Sequence, residues 1–516
     1  MTHSLGLDRR DSAPPAPAIR AFRPAGDLDG LDELRVLVNQ AIDVLRSVSA
    51  ARKGPVAPGG PAGSRAAAAR AFAEPLLPAE QSAQPSEVLL DLVRAFAEGS
   101  VDLTHPGAVA RMQCPPLPVA AVAEFVTAVL NQSLHAWEAG PFALELDRWV
   151  TEELCRLAGY GPGSGGTLTA GGSVSNLMAV LAARDAAFAG RSGLPTFRTG
   201  VAATGLRPVV LCSASAHFSV GKAVGLVGVG EEQIRHVPTD EAGRMLPEGA
   251  DRLLAELPAD EVPIMLIACA GSTDVGWVDP LPELREVTRR HGVWLHADAA
   301  YGGGALFSES LRGMLDGIAE ADSITMDLHK FGWAPASAAV FLVRDAAHLD
   351  PLAGQTTTLN ADDDKAAGFI GRYGTSIQAT RRVDALKIAA VLRSEGAAGI
   401  GGAVDACHAL AVHAAAKTRA EPRLELAAEP PLSTVLLRFL PAADIDADDF
   451  NGKLRRRLMT DGTLVTARTR VPRPDGTAPV FLKLMLLNPA TGPEQVDAIL
   501  EVIIGTALEL EQGWER

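Results

Sequence analysis

The sequence predicts an α/β fold: a mostly parallel central sheet, preceded by a helical layer and followed by a small α+β domain. Three observations carry this. Short apolar runs without polar alternation read as strands buried on both faces: PVVLCSA (208–214), VPIMLIACAG (262–271), VWLHADAA (293–300), DSITMD (322–327) and AAVFLVRD (338–345). Helix-like stretches such as LPELREVTRRHG lie between them, as crossovers between parallel strands require. A length of 516 residues also supports a large core without disulfides or metals.

Along the chain, residues 1–30 are rich in Pro, Ala and charge without periodicity and read as a mobile lead-in. LDELRVLVNQAIDVLRSV and SRAAAARAFAE read as helices on either side of the Pro/Gly stretch KGPVAPGGPAGS at 53–64. From about 118 to 160 the pattern is helical again, and then the strand–helix rhythm begins. Beyond 400, GAVDACHALAVHAAAKTRA, DFNGKLRRRLMTDG and EQVDAILEVIIGTAL read as helices, with STVLLRFLP and PVFLKLMLLNP strand-like between them. The expected boundaries are 1–150 for the lead-in and N-terminal helical segment, 151–398 for the large α/β domain and 399–516 for the small α+β domain.

Composition narrows the function classes. With 47 Lys+Arg against 62 Asp+Glu the formal charge is −15, which speaks against nucleic acid as a partner. The N-terminus lacks the apolar core of a signal peptide, and no run of about 20 apolar residues follows, so no membrane span is expected and the location expected is cytoplasmic. Five cysteines, at 114, 155, 212, 269 and 407, show no metal-ligand or CxxC spacing and read as free thiols in a reducing compartment, with no metal site. Only three tyrosines are present, at 160, 301 and 373.

Four segments combine reactive side chains with glycine and strand ends. GGTLTAGGSVSNLMAVLAARDAA (165–187) runs small residues into a helix; Gly171 and Gly172 allow close backbone approach, Ser173 adds a hydroxyl, and the helix start offers free N–H groups to a phosphate. A glycine turn capping an ordinary helix would read the same way. VWLHADAAYGG (293–303) ends its strand in Asp298, a carboxylate that needs a cation or donor there. In DSITMDLHKFGW (322–333), His329 and Lys330 follow a strand, and a lysine desolvated at the mouth of an apolar site becomes an amine nucleophile. The fourth, LCSASAHFSVGKAVGLVG (211–228), sets His217 beyond a strand, where its imidazole can stack on a planar ligand or serve as a hydrogen-bonded structural residue. Asp298 and Lys330 are 32 positions apart, room for a strand, a helix and a strand, so both can sit on one edge of neighbouring parallel strands.

A phosphate cradle, a flat stacking group, an acidic partner and an amine nucleophile, in that order, describe a site for pyridoxal 5′-phosphate, with Lys330 forming the Schiff base, Asp298 on the pyridine nitrogen and His217 on the ring face. The chain resembles the group II pyridoxal-phosphate-dependent amino-acid decarboxylases, the family of glutamate, diaminobutyrate and aromatic amino-acid decarboxylases. GGSVSN, SASAHFSV, ACAGSTDVGWVDPL, HADAAYGG, DLHK and ATRRVDALK carry the resemblance, which spans about 104–500. It implies fold type I, aspartate aminotransferase-like, and a homodimer with shared active sites. It further implies Gly172 and Ser173 at the phosphate, Thr273 near the ring hydroxyl, Ala300 beneath the ring and His329 near the phosphate. The segment Met112–Pro116 is implied on the substrate side, where Gln113 and Cys114 favour a small polar amino acid, acidic or diamino, over an aromatic one; a packed turn is an equal reading of MQCPP.

Two positions depart from the pattern. The lysine motif, usually NPHK, reads DLHK, placing Asp327 where the phosphate is expected. In the loop after Lys330 the family carries a tyrosine that returns a proton to the substrate carbon after CO2 leaves; QTTTLNADDD has Thr358 there. A threonine hydroxyl is a far weaker acid than a phenol of pKa about 10. Three outcomes follow: simple decarboxylation with His217, a water or Tyr373 giving the proton; diversion into oxidative deamination or another Cα or Cβ reaction; or a non-catalytic cofactor-binding subunit.

Overall fold

The computed structural model describes residues 24–73, 76, 84–189, 196–353, 361–473 and 475–514. Among them no helix is long and apolar enough to cross a membrane, and no group of His, Cys, Asp or Glu is arranged to hold a metal ion. All five cysteines are free and buried.

The described residues of 1–51 and 70–98 form one compact unit. Its helices Leu28–Ala51 and Pro85–Gly99 are amphipathic, and Val44, Val48 and Ala97 pack into a small core. Asp27 starts the first helix by accepting the Gly30 N–H at 2.6 Å, which satisfies one of the donors every helix start leaves open.

The described residues of 52–69 and 99–516 form the second unit. Its main sheet holds β1 (Gly165–Thr169), β2 (Arg207–Cys212), β3 (Ile234–His236), β4 (Glu261–Cys269), β5 (Trp294–Asp298), β6 (Ser323–Asp327) and β7 (Ala339–Val343), in the order β1-β7-β6-β5-β4-β2-β3. The five strands from β6 to β3 run parallel, as the unbroken apolar runs predict. Every residue of β5, β6 and β7 is buried, because helices cover both faces. The helix Leu281–His291 is one such crossover, with Pro282 and Glu283 in its first turn and Arg289, Arg290 and His291 in its last, complementing the helix dipole at both ends.

Two strands differ from the sequence reading. β7 pairs antiparallel with β6, and β1, read from sequence as a flexible approach to a helix, pairs antiparallel with β7. Two reversals restore direction, so β1 points the same way as β6. The carboxyl ends of β1, β2, β4, β5 and β6 therefore open on one edge of the sheet, where ligand sites of such folds lie.

The small sheet is antiparallel, β10-β11-β9-β8, with β8 (Leu424–Leu426), β9 (Thr434–Phe439), β10 (Ala467–Arg470) and β11 (Val480–Met485). Helices Ala447–Asp461 and Pro493–Gln512 bury Phe450, Leu454, Val496 and Ile503 against Phe439 and Leu484. The long helix Asp384–Ala420, non-helical at Gly396, packs against both sheets' surroundings, with Val404 in the large core and Ala411 and Ala414 in the small one.

Candidate active site

A cavity of about 570 Å³ opens at that strand edge, within the range of small-molecule and cofactor pockets. Gly171, Gly172 and Ser173 line it where β1 passes into the helix Gly172–Ala189. A Cβ at Gly172 would stand 3.1 Å from Ala300 Cβ and 3.2 Å from Asp327 Oδ2, so any other residue would push the two walls apart by a few tenths of an ångström. At the start of the helix the Val174 and Ser175 N–H groups donate to the Gly171 carbonyl, so it is the N–H groups of Gly172 and Ser173 that are placed to meet an anion.

Parallel pairing sets Cys269, at the end of β4, opposite Asp298, and Asp298 opposite Thr325. Asp298 is 8% exposed at the cavity floor; Asn176 Nδ2 donates to its Oδ2 at 2.8 Å and the Ala300 N–H to its Oδ1 at 3.2 Å. Beyond β4 the chain turns at Gly271, whose φ of +107° and contact with Gly302 exclude a side chain, and delivers Thr273 and Asp274 to the cavity. Lys483 of β11, buried, reaches across to the Thr273 carbonyl and to Asp274 Oδ1 at 3.1 Å. Burial holds its ammonium below the usual lysine range, and Asp274 opposes that.

Past β6, Lys330 Nζ lies in the cavity 3.1 Å from Asp327 Oδ2, and His329 Nε2 is 3.6 Å from the same oxygen. His329 Nδ1 is 2.9 Å from the Ala338 carbonyl and 3.3 Å from the Ala338 N–H. His217 lines the opposite side, its ring 4.2 Å from that of Phe218. Burial keeps its conjugate acid below the usual histidine range, with Asp298 pulling the other way.

The profile of the pyridoxal-dependent decarboxylase conserved domain matches residues 73–440. The chain belongs to this decarboxylase family. It is 37% identical over 432 residues, 83% of each chain, to the L-2,4-diaminobutyrate decarboxylase of Rhizobium meliloti (strain 1021). It is 28% identical over 439 residues to the cysteine sulfinic acid decarboxylase of Rattus norvegicus, covering 82% of this chain and 86% of that one. Among solved structures it is similar to the glutamate decarboxylase domain of a diaminobutyrate-pyruvate transaminase and L-2,4-diaminobutyrate decarboxylase from Vibrio parahaemolyticus, at a TM-score of 0.83 and 28% identity over 94% of this chain and 97% of that one. This decarboxylase is thus a pyridoxal-phosphate-dependent amino-acid carboxy-lyase of fold type I, as its motifs imply.

The residues present fit that cofactor. Gly172 and Asp298 supply a close-approach cradle and a carboxylate in one cavity, and the Lys330 amine, later in the chain than both, lies in the same cavity. Asp327 adds a second carboxylate beside the cradle. Its Oδ1 is buried without a hydrogen-bond partner, and the Lys330 ammonium offsets its charge on the Oδ2 side.

The decarboxylase cavity gathers Gly171, Gly172, Ser173, His217, Thr273, Asp298, Ala300, His329 and Lys330 in its wall. It does not gather Gln113 and Cys114: Gln113 is exposed, and Cys114 is buried with its Sγ donating to the His329 carbonyl at 3.2 Å. Their neighbours Arg111 and Met112 face the cavity instead. Thr358 lies outside the described residues. Tyr160 donates to the Ala321 carbonyl at 2.9 Å, Tyr301 is buried in hydrogen bonds with Ser433 and Thr434, and Tyr373 is not in the cavity wall.

Asn176, Arg468 and Lys483 in the cavity wall, and His296 behind it against Asn176, are residues that the sequence reading missed. Strand parity offered a signal for one of them, since residues two apart share a face and His296 precedes Asp298 by two. His296 is fully buried, and desolvation lowers its pKa to about 4. The folded chain resists protonating it, so stability is lost as pH falls from the unfolded value near 6.5 towards 4. Asp279 opposes this: burial raises its pKa to about 6 despite the Met245 and Cys269 N–H donors, so its term is lost as pH rises from 4 to 6. Removing the second term with Asp279→Asn should expose the first. In urea titrations of the cofactor-free chain, the variant should lose about 3 kcal/mol between pH 6.5 and 4. The parent should change by less over the same interval, and equal slopes would refute the assignment.

Proposed function

We propose that this decarboxylase acts on a small polar L-amino acid of the diamino or acidic type, with Lys330 holding the cofactor covalently through Nζ. The observation that carries the reading is the Lys330 amine in one cavity with the buried Asp298 carboxylate, the histidine face of His217 and the Gly172 cradle. The cofactor, when bound, supplies an electron sink for the pair released as CO2 departs.

The chain's own residues do the rest. Gly171, Gly172 and Ser173 would hold the phosphate through the Gly172 and Ser173 N–H groups and the serine hydroxyl, with His329 beside them. With the cofactor bound, Asp298 would keep negative charge at the ring nitrogen, His217 would stack on the ring, Ala300 would leave space beneath it and Thr273 would lie near the ring hydroxyl. Arg111, Arg468 and Lys483 form a cationic wall that orients the substrate carboxylate. The relatives named for diaminobutyrate and cysteine sulfinic acid support a small polar side chain.

A homodimer with shared sites is supported by the apolar surface of helix Pro118–Leu130, which exposes Val119, Val122, Phe125 and Leu130, and by exposed Phe142 and Trp149 on the next helix. Five buried free thiols support a reducing, cytoplasmic setting. The proposed organisation keeps the catalytic α/β domain at 151–398 and the small domain at 399–516.

A second reading is favoured by one observation: of the described tyrosines only Tyr301 lines the cavity, and its hydroxyl is engaged by Ser433 and Thr434. With Thr358 in the loop, proton return to the substrate carbon is slow, and oxidative deamination to an aldehyde competes. A panel of L-amino acids beginning with 2,4-diaminobutyrate, aspartate, glutamate and cysteine sulfinate, read by mass spectrometry with CO2, O2 and H2O2 followed, separates the two. Stoichiometric amine without oxygen uptake rules out the second reading. Thr358→Tyr should raise the ratio of amine to aldehyde about tenfold or more, in line with a recovered general acid; an unchanged ratio removes this position from proton transfer.

A further inference from the structure

Behind the cavity floor runs a hydrogen-bonded chain that the roles above leave unused. Asn176 is its branch point, 1% exposed. Its Nδ2 donates to Asp298 Oδ2 at 2.8 Å and to Ser219 Oγ at 3.0 Å, while its Oδ1 accepts from Thr325 Oγ1 at 3.0 Å and His296 Nε2 at 3.1 Å.

Group chemistry fixes where each hydrogen sits. An amide oxygen only accepts, so His296 carries its hydrogen on Nε2. Neutral His296 then accepts at Nδ1 from Ser323 Oγ, 2.8 Å away, and Ser323 itself receives the Trp294 indole N–H at 2.8 Å. On the other branch an amide nitrogen only donates, so Ser219 Oγ accepts from Asn176. His217 Nδ1 receives the Ser219 backbone N–H at 3.3 Å and lies 2.8 Å from Ser219 Oγ. Both donors converge on Nδ1, which leaves the ring hydrogen on Nε2.

We propose that Asn176 is a positioning residue: its amide orients the Asp298 carboxylate and, through Ser219, fixes His217 as the tautomer with hydrogen on Nε2. The catalytic meaning rests on the assignment of Asp298 and His217 to the cofactor ring, but the tautomer is a property of the chain alone. Besides Ser219, the groups facing His217 are Asp298 on β5, Asp327 and Lys330 beyond β6, and Lys483 on β11.

Diethyl pyrocarbonate consumes neutral imidazole, so its rate at His217 against pH, read by peptide mass spectrometry on the cofactor-stripped full chain, gives the protonation midpoint. Ser219→Ala removes one donor to Nδ1 and should raise the midpoint by about one pH unit. Asn176→Ala should raise it by less, and should add nothing in the Ser219→Ala background, because one residue acts through the other. Additive shifts overturn the proposal. Cofactor affinity, followed by absorbance on reconstitution, reads the second branch: Asn176→Ala should weaken it about tenfold or more and Ser219→Ala by less than about threefold. Unaltered affinity in Asn176→Ala also overturns the proposal. If Asn176→Ala does not fold, Ser219→Ala decides alone, and an unmoved midpoint refutes the tautomer lock. An Asp298→Asn chain that binds cofactor as tightly as the parent would overturn the ring assignment while leaving the midpoint result standing.

Discussion

Replacing Lys330 with alanine should abolish covalent attachment of the cofactor and lower decarboxylation by about a thousandfold or more. The loss is chemical, since the other lysine of the cavity wall, Lys483, is turned to Thr273 and Asp274. Borohydride treatment followed by peptide mapping is the direct check, and cofactor still reducible onto the Lys330→Ala chain would end the assignment. A structural effect comes with it. Asp327 is 4% exposed in its side chain, and Lys330 is its nearest cation at 3.1 Å, so the variant leaves a buried carboxylate poorly compensated, at about 3 kcal/mol. Adding Asp327→Asn should restore the urea midpoint without restoring turnover. Recovery of activity in the double variant would mean that Lys330 acts through charge alone.

Asp298→Asn should lower kcat by about a hundred- to a thousandfold, the range expected when a group aimed at developing charge is neutralised. The side chain keeps its volume, and Asn176 can still donate to an amide oxygen, so the fold should hold. What disappears is the negative charge on the edge of β5. Steady-state turnover read by mass spectrometry, with cofactor saturation checked by absorbance, measures it; turnover within about threefold of the parent would remove Asp298 from the ring nitrogen.

Much of this site is legible from local sequence because it is built at strand ends. Asp298 follows VWLHA directly, Lys330 follows DSITMDLH, and the parallel pairing of β5 with β6 brings both to the same edge. His217 is legible for the same reason, one short turn after β2. Other features depend on partners remote in sequence. GGTLT has too few β-branched or aromatic residues to announce a strand, and it becomes β1 only because β7, some 170 positions later, offers an open edge. Gln113 and Cys114 sit in the right segment, but the turn that aims Arg111 and Met112 at the cavity is set by packing against the loop that carries His329.

The sequence by itself determined the α/β class, the cofactor and the family, because apolar runs, glycine positions and a nucleophile after a strand are local features that chain order preserves. Only the tertiary structure decided which side chains share the cavity wall and how its hydrogens are directed. Asn176 meets Asp298, His296, Thr325 and Ser219 at once. Buried polar groups must all find partners, and which partners they find depends on how strands and helices distant in the chain are brought together.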